Sequence, residues 1–523
     1  MKFLNPIVSI LFLLMCLAVT GAKSQIHQPF RYEKEREFSE SGFTIISLKE
    51  EGLALIRDTD KFEQNKRKWL LEILDTTLTT TWSTELILEN RLTIVGYEYY
   101  RNHLYLLFRE GESNHFGFKL LTVLFKDQQI RTQSVQFDID FRITHFTMAG
   151  GSAVFGGYVN NEPAVLLYDQ KSDQPKVLPG LFVSDIKLLD VRTNQNQSFN
   201  VLLSEHKGRD DKKLIVRTYD PDGNLLLDDI IDFDRNLSIL TGLTSTLERD
   251  ELIIAGTYGE GSFRHALGFY SVVVDPFNRQ EITYTDFSML HHFLDYLPEK
   301  KAEKIREKKK NEKTAGNLSD FKAYVMPFRI EESNKGFFLL SEVYIPSQSS
   351  SPYPYNSSFY NPYLYGYNPY GFSPYMNRYY NSPYSGYNTV NSSEYKMVQS
   401  MVVRFNSQAK IEKDFSMKFD DLRENQLEQV SDFSIRGDSL VMMYKNENQI
   451  FYLKSAGEIN EKNDVSQIKV ALKNDTEAIK GDNRDEGFLR YWYGQHLYTW
   501  GYQTINNQNH KRHVFYVNRI SLD

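Results

Sequence analysis

The chain contains very little cysteine: Cys16 is the only one among 523 residues. A single cysteine excludes any disulfide within the chain, so stability must come from an ordinary hydrophobic core, which a chain of this length can build. Long apolar runs are also missing. After residue 24, no segment approaches the roughly 18 consecutive apolar residues that indicate a membrane-spanning helix. A formal net charge of −7 gives no indication of a nucleic-acid-binding protein.

The N-terminal segment is typical of an export signal. Lys2 supplies a basic start, residues 7–19 form an apolar run, and small residues follow. We therefore predict that residues 1–24 are a signal peptide, cleaved near Ala22 or Ser24. The mature protein would then be exported: periplasmic, outer-membrane-associated or extracellular. Cys16 leaves a lipoprotein anchor as the alternative, but Met15 is bulkier than the small residue that lipoprotein processing requires before the cysteine.

The remainder of the chain, residues 25–523, repeats one unit. Apolar strands recur with similar neighbourhoods, centred near Leu55, Leu106, Phe155, Leu202, Ile254, Leu339, Val441 and Thr499. Five of the seven spacings lie near the roughly 40–50 residues that a four-stranded propeller blade occupies. The two longer gaps each contain a segment that does not resemble a strand.

Each unit divides into four strands, A to D. In the fourth unit, strand A covers 186–191, B covers 199–204, C covers 213–219 and D covers 225–233, with hairpin-turn residues at 220–224. Stacking such units around an axis buries both faces of every sheet. The sequence therefore predicts an all-β fold: a single closed β-propeller of eight blades, or of seven if one unit is misread. Because the last unit stops after strand C, we expect residues 30–38 to supply its fourth strand.

The first insertion, residues 288–316, lies between units five and six. Leu290, Phe293, Leu294 and Leu297 have the spacing of an apolar stripe on a short helix, and Pro298 opens a second helix. From 299 to 313 the second helix holds eight Lys or Arg and four Glu, so we expect it to be solvated on all sides. We favour an inert charged spacer; a docking arm for an acidic partner is the alternative.

The second insertion, residues 347–394, lies between strands B and C of unit six. Residues 351–388 contain twelve tyrosines, six prolines and one charged side chain, Arg378. The prolines and short repeats indicate low complexity without regular structure. Tyrosine is also favoured on binding surfaces, so this segment is either disordered without a partner or an aromatic contact loop. Its central tyrosines are candidate ligand-binding residues: Tyr363, Tyr365, Tyr367 and Tyr370.

Both insertions are expected on one face of the propeller. D-to-A and B-to-C connections leave from the same ends of the strands, whereas A-to-B and C-to-D turns leave from the opposite ends. Because only one face carries long insertions, we predict that the functional site lies on that face.

A repeated Asp at the head of strand A supplies the remaining candidates. Asp185, Asp320 and Asp432 follow Ser at the same position of three units, and His145 takes the matching position in another. In the channel such groups could bind a cation or polar ligand, or act as acid and base. The alternative is that Ser-Asp hydrogen-bonds the backbone of a tight connection. The scattered histidines predict no metal site, and we expect no cofactor.

The functional prediction depends on the fact that the sequence contains no recognisable combination of catalytic residues. Residues 437–440 match a lipase signature, but they fall on a turn of an all-β chain, so no catalytic residue is assigned. We predict a non-enzymatic binding or scaffold protein of a bacterial cell envelope, whose elaborated face contacts an envelope protein or polysaccharide. The alternative is a carbohydrate-active enzyme with carboxylates in the channel; a channel without them would favour the binding protein. The oligomeric state is left open.

Overall fold

The computed structural model describes residues 26–522 except 37–40, 112–114, 180–184, 208–210, 249–250, 261–264, 276, 278–279, 316–322, 335, 347–394, 425–426, 438, 456–463, 475, 483–486 and 508–509. The predicted signal peptide, residues 1–24, therefore lies outside the described residues. The described part forms eight antiparallel sheets and one α-helix. The first strand, β1 (Ile26–Glu35), belongs to the last sheet of the ring.

The first four blades each contain four strands that pair in sequence order. Blade 1 consists of β2 (Thr44–Ser47), β3 (Leu53–Glu63), β4 (Lys66–Leu74) and β5 (Thr80–Leu88). Blade 2 consists of β6 (Leu92–Tyr100), β7 (His103–Glu110), β8 (Gly117–Leu124) and β9 (Gln129–Gln136). Blade 3 consists of β10 (Arg142–Ala149), β11 (Ser152–Val159), β12 (Glu162–Asp169) and β13 (Gln174–Val177). Blade 4 consists of β14 (Ile186–Thr193), β15 (Phe199–Lys207), β16 (Asp211–Tyr219) and β17 (Leu225–Asp232).

Blades 6 and 7 follow the same plan, whereas blades 5 and 8 vary it. In blade 5 the first strand is divided into β18 (Ser238–Ile239) and β19 (Leu243–Thr244), followed by β20 (Leu252–Gly259), β21 (Gly268–Val274) and β22 (Thr283–Asp286). Blade 6 consists of β23 (Tyr324–Ser333), β24 (Gly336–Pro346), β25 (Tyr395–Phe405) and β26 (Ile411–Glu424). Blade 7 consists of β27 (Ser431–Arg436), β28 (Ser439–Asn446), β29 (Gln449–Ser455) and β30 (Ser466–Lys469). Blade 8 contains β31 (Ala478–Asp482) and β32 (Leu489–Tyr493), both paired with β33 (His496–Asn507), and then β34 (His510–Leu522) and β1.

The eight-bladed propeller predicted from the repeats is confirmed. All eight repeat centres lie in the second strand of successive blades, from Leu55 in β3 to Thr499 in β33. The repeat is detectable in the sequence because strand B is flanked by strands on both sides and buried on both faces. The sequence of strand B is therefore an almost continuous apolar run, as in β20, which is buried along its whole length.

The ring is closed by pairing the two ends of the chain. Strand β1 pairs antiparallel with β34, from Ile26 opposite Leu522 to Glu35 opposite Val514. The closing strand was predicted at residues 30–38 and lies instead at Ile26–Glu35. It also contacts blade 1, where Lys34 forms an ion pair of 2.6 Å with Glu72 of β4.

The hydrophobic core lies between neighbouring blades. Phe118 of β8 and Phe155 of β11 join blades 2 and 3, with ring centroids 6.2 Å apart, and both rings are almost completely buried. Phe146 of β10 packs on Phe155 at 5.6 Å. Such aromatic pairs contribute roughly 0.5–1.5 kcal/mol beyond the burial of their apolar area. Blades held in this way form rigid walls for the central channel.

The first insertion differs from its prediction in one part. The apolar stripe does not form a helix: a short 3-10 turn covers Phe287–Met289 and irregular turns follow. Phe293 and Leu294 are fully buried in the core between blades 5 and 6. In place of helical hydrogen bonds, the backbone N–H groups of His291 and His292 donate to the carboxylate of Asp414, at 3.0 and 2.7 Å. Tertiary burial and this side-chain acceptor replace the hydrogen bonds of a helix turn.

The charged helix is confirmed as α1 (Glu299–Ala315). The prediction that it is solvated on all sides is wrong, because Ala302 is buried and Ile305 packs against the same core. One stripe of two apolar residues is enough to attach the first turns of the helix to the propeller. In the described part of the chain, no helix has the length and apolar character needed to cross a membrane.

The positions of both insertions follow from the strand order. The helical insertion connects β22 to β23, a D-to-A link, and the tyrosine-rich insertion connects β24 to β25, a B-to-C link. Both therefore leave from the same face of the propeller, as predicted. Residues 347–394 themselves lie outside the described residues.

Candidate active site in the central channel

A cavity of about 770 Å³ occupies the central channel. Residues of the innermost strand of seven blades line it, and blade 5 contributes Thr246 and Glu248 from the turn after β19. The lining continues onto other A-to-B turns, such as Arg101-Asn102 and Gly494. These turns lie on the face opposite the two insertions. Most of the lining residues that lie outside strands therefore belong to the face opposite the two insertions.

Aromatic side chains form much of the wall on the side of blades 8, 1 and 2. The rings of Tyr498 and Trp500 stack at 5.4 Å, and those of Trp492 and Tyr493 meet edge-on at 5.2 Å. Flat rings that carry a polar edge can stack on the apolar faces of sugars while their hydroxyl or N–H groups bind sugar hydroxyls. The aromatic residues of the lining are Phe43, Tyr97, Tyr99, Tyr100, Phe488, Tyr491, Trp492, Tyr493, Tyr498, Trp500 and Tyr502.

Glu98 of β6 is a carboxyl group that retains its proton at neutral pH. Its half-buried side chain lines the cavity, and its Oε2 accepts a hydrogen bond of 3.5 Å from the Thr147 hydroxyl. Burial raises the pKa of Glu98 to about 8, although Lys49, the Thr147 hydrogen bond and Arg192 all act to lower it. A protonated carboxyl group in a cavity is suited to donate a proton to a bound ligand.

A tyrosine, a glutamate and an arginine lie near Glu98. Burial raises the pKa of Tyr97 to about 12; the charges of Glu98 and Glu428 act in the same direction and that of Arg490 acts against them. The three charged side chains are therefore within electrostatic range of the Tyr97 hydroxyl. Arg490 is held in place by donating to the carbonyl oxygens of Leu489 and Gln429 at 2.8 and 2.5 Å.

A second group of carboxylates lies at the rim of blades 5 and 6. Glu332 accepts hydrogen bonds from the backbone N–H groups of Thr246, at 2.8 Å, and Glu248, at 3.3 Å. Burial raises the pKa of Glu248, and the charges of Glu331 and Glu332 add to that effect. This part of the rim therefore carries a local excess of negative charge.

Of the site residues predicted from the strand heads, Asp432 alone lies on the cavity wall among those described. It is buried and ion-paired with Arg329, and its Oδ2 accepts from the backbone N–H of Tyr491 at 2.8 Å. The Arg329 guanidinium lies 4.3 Å from the centre of the Phe433 ring and 4.5 Å from that of Tyr491. Asp432 thus fixes a cation of the channel wall; ligand binding by Asp432 itself stays a prediction.

The other predicted residues are not brought together. Asp185 is exposed, and its carbonyl oxygen accepts from the backbone N–H of His206 at 3.0 Å. His145 is completely buried beside the Thr144 hydroxyl, 2.9 Å away, and burial lowers its pKa to about 4. Neither lines the cavity. Asp320 and the four tyrosines Tyr363, Tyr365, Tyr367 and Tyr370 lie outside the described residues.

The charged channel residues that the sequence analysis did not predict all lie within the innermost strands of their blades. Glu98, Arg192, Arg329 and Arg490 are charged residues within the innermost strands, with apolar or aromatic neighbours. A charged residue inside an otherwise apolar strand could have indicated these channel residues. The predicted channel candidates came only from the first residues of strand A. Among the described residues, no group of three His, Asp or Glu side chains is arranged to hold a metal ion.

Comparison with known proteins adds fold-level similarity. No family model and no curated protein matches the chain. Among solved structures, polysaccharide lyase Uly1 is similar at a TM-score of 0.39 and 8% identity, covering 92% of this chain and 100% of that one. A PL25 ulvan lyase bound to -[GlcA(1-4)Rha3S]- gives 0.37 and 9%, covering 80% and 90%. The β-propeller domain of the Trilobed protease from Pyrococcus furiosus gives 0.34 and 9%, covering 82% and 93%.

These findings correct the main functional prediction. A channel without carboxylates would have favoured the predicted non-enzymatic binding or scaffold role. The channel instead contains several carboxyl groups, and burial raises the pKa of one of them, Glu98, to about 8. The predicted binding role is therefore wrong, and the predicted alternative fits the channel better.

Proposed function

We propose that this protein is a carbohydrate-active enzyme that hydrolyses glycosidic bonds of a glycan bound in the channel cavity. The observation that carries the proposal is Glu98: a carboxyl group, protonated at neutral pH, on the wall of an aromatic-lined cavity of about 770 Å³. Glycoside hydrolysis requires one carboxylic acid that donates a proton and one ionised carboxylate. The cavity supplies candidates for both.

We assign the proton-donor role to Glu98 and the second role to Glu428. Both line the cavity, and the charges of both act on the Tyr97 hydroxyl. Glu98 gives its proton to the glycosidic oxygen as the bond from that oxygen to the anomeric carbon breaks. Glu428 takes a proton from a water molecule whose oxygen forms the new bond to the anomeric carbon. One water is consumed for each glycosidic bond that is broken.

The charge of the cavity favours an uncharged or positively charged glycan. Acidic residues outnumber basic ones on its wall, and the pKa of Glu248 is raised partly by neighbouring carboxylates. A polyanionic chain would be repelled by such a wall. The acidic residues are Glu50, Glu51, Glu98, Glu248, Glu331, Glu332, Glu428 and Asp432; the basic ones are Lys49, Arg101, Arg192, Arg329 and Arg490.

Export is a second part of the proposal. The basic start, apolar run and small residues of 1–24 support cleavage of a signal peptide and action in the periplasm, at the outer membrane or outside the cell, where polysaccharides occur. The partner of the protein is then its polysaccharide substrate. Mass spectrometry of the protein recovered from cell fractions tests this: a mature N-terminus near residue 23 or 25 is expected outside the cytoplasm. An intact Met1 in the cytoplasmic fraction would contradict it.

The enzymatic proposal is tested by the release of reducing ends from a panel of neutral polysaccharides and chitosan. The wild-type protein is expected to hydrolyse at least one of them, and Glu98→Gln should lower kcat by about 100-fold or more because the proton donor is lost. Glu281→Gln, at an exposed glutamate that is not on the cavity wall, is the matched control. Equal activity of the Glu98 and Glu281 variants would overturn the proposal.

A further inference from the structure

A second cavity adjoins the channel. It has a volume of about 370 Å³ and lies between blades 6 and 7. Four residues line both cavities: Arg329, Glu331, Glu332 and Tyr491. The two cavities therefore adjoin at these four side chains, and a ligand long enough to pass them would contact both cavities.

The second cavity lies on the face whose A-to-B turns also line the channel cavity. Asn334 follows β23 and Gly437 follows β27, and both belong to A-to-B turns that line this space. The second cavity thus extends outwards from the channel wall, across the boundary between blades 6 and 7.

The wall between the cavities is fixed. Arg329 is ion-paired with Asp432, and its guanidinium lies against the rings of Phe433 and Tyr491 at 4.3 and 4.5 Å. The second cavity is lined by groups that can bind sugar hydroxyls, including the Glu331 carboxylate, Asn334 and Arg404. These polar groups are suited to bind further sugar units of a glycan whose other end is already bound in the channel.

We propose that the cavity between blades 6 and 7 is a second sugar-binding subsite, so that the protein binds an extended polysaccharide and cleaves it at internal bonds. This inference rests on the proposed function, because it assigns the additional space to the same glycan. It predicts that efficiency increases with the length of the chain until both cavities are filled.

The glycines of the turns provide matched variants. Gly437 lines the second cavity, Gly494 lines the channel, and Gly111 lines neither. All three have left-handed backbone conformations, with φ of +58°, +53° and +69°, and a Cβ atom would meet nothing within 4 Å at any of them. Asparagine tolerates this conformation, so Gly→Asn adds a side chain at a similar backbone cost in each case. Equal melting temperatures should confirm that the three variants are folded.

The test compares hydrolysis and binding for the three variants with the polysaccharides of the panel and with their short oligosaccharides. Gly437→Asn should lower kcat/KM on long chains about tenfold and change that on short oligosaccharides by less than about twofold, relative to Gly111→Asn. Gly494→Asn should impair both substrates. Retardation of each variant in native gels that contain the polysaccharide measures binding without catalysis.

The outcomes separate the two proposals. If Gly437→Asn matches Gly111→Asn at every chain length in both assays, the proposal of a second subsite is wrong. The hydrolase proposal is then still supported by the activity of the wild type. If no glycan is hydrolysed but Gly437→Asn weakens retardation, the subsite stands and the hydrolase proposal fails. If the wild type neither hydrolyses nor is retarded by any glycan, both are overturned.

Discussion

The Thr147 hydroxyl donates to Oε2 of Glu98 at 3.5 Å and so joins the innermost strands of blades 2 and 3 inside the channel. The same hydroxyl oxygen lies 2.8 Å from that of Thr193 in blade 4. Side chains of three blades are thus linked in a row: Glu98 contacts Thr147, and Thr147 contacts Thr193. The hydrogen bond favours the ionised form of Glu98, whereas burial favours the protonated form and outweighs it, so that the pKa of Glu98 is raised.

The first prediction concerns the pH dependence of hydrolysis. Burial raises the pKa of Glu98 from 4.5 to about 8, so the proton donor is present below about pH 8 and is lost as the pH rises through that value. We expect kcat/KM to fall about tenfold for each pH unit above about 8. A profile measured on a cleaved polysaccharide checks this, and an alkaline limb near the ordinary pKa of a glutamate would contradict the assignment of Glu98.

The second prediction uses the Thr147 hydrogen bond. Thr147→Val removes a donor to the ionised carboxylate, which should raise the pKa of Glu98 further. The alkaline limb of the profile should therefore move to higher pH, while Thr147→Ser should restore it. A merely structural role for Thr147 would lower activity at every pH without moving the limb.

The third prediction compares two aspartates from equivalent strand heads. Asp432→Asn removes the charge beside the buried Arg329 and should lower the free energy of unfolding by about 3 kcal/mol. Asp185→Asn changes an exposed side chain in a turn that asparagine also tolerates, so the change should stay below about 0.5 kcal/mol. Urea unfolding of both variants measures the difference, and equal values would contradict the proposed role of Asp432 in fixing Arg329.

These two aspartates also show what the sequence could and could not predict. The blade count and the strand-B positions followed from repeated apolar runs, because burial on both faces of strand B leaves a local pattern. The closure by the N-terminal strand followed from the missing fourth strand of the last unit. The partner of Asp432 is Arg329, more than 100 residues away in another blade. Nothing in the local sequence distinguishes Asp432, which meets this cation, from Asp185, which is exposed.

The predicted helix over 290–297 failed for a related reason. The spacing of Leu290, Phe293 and Leu294 matches a helical stripe, but the same side chains are buried in the irregular turns that the structure contains. Asp414, more than 120 residues away, accepts the backbone N–H groups of this segment. A tertiary contact of this kind overrides a local periodicity.

The fourth prediction concerns ring closure. Removal of residues 25–36 leaves β34 with an unpaired edge and deletes the ion pair between Lys34 and Glu72. The free energy of unfolding should fall by several kcal/mol, roughly a third or more of the stability of a typical domain. Thermal unfolding of the truncated and mature chains measures this. An unchanged melting temperature would mean that β1 does not stabilise the ring.

The central claim is that a glycan reacts in the channel, beside Glu98, on the face opposite the insertions. A crystal structure of the Glu98→Gln variant with an oligosaccharide of a polysaccharide that the wild type hydrolyses tests it most directly. We predict that sugar rings lie in the channel cavity against its aromatic wall, with a glycosidic oxygen within about 3.2 Å of the side-chain amide introduced at position 98. A glycan bound on the insertion-bearing face, with the channel empty, would contradict the account.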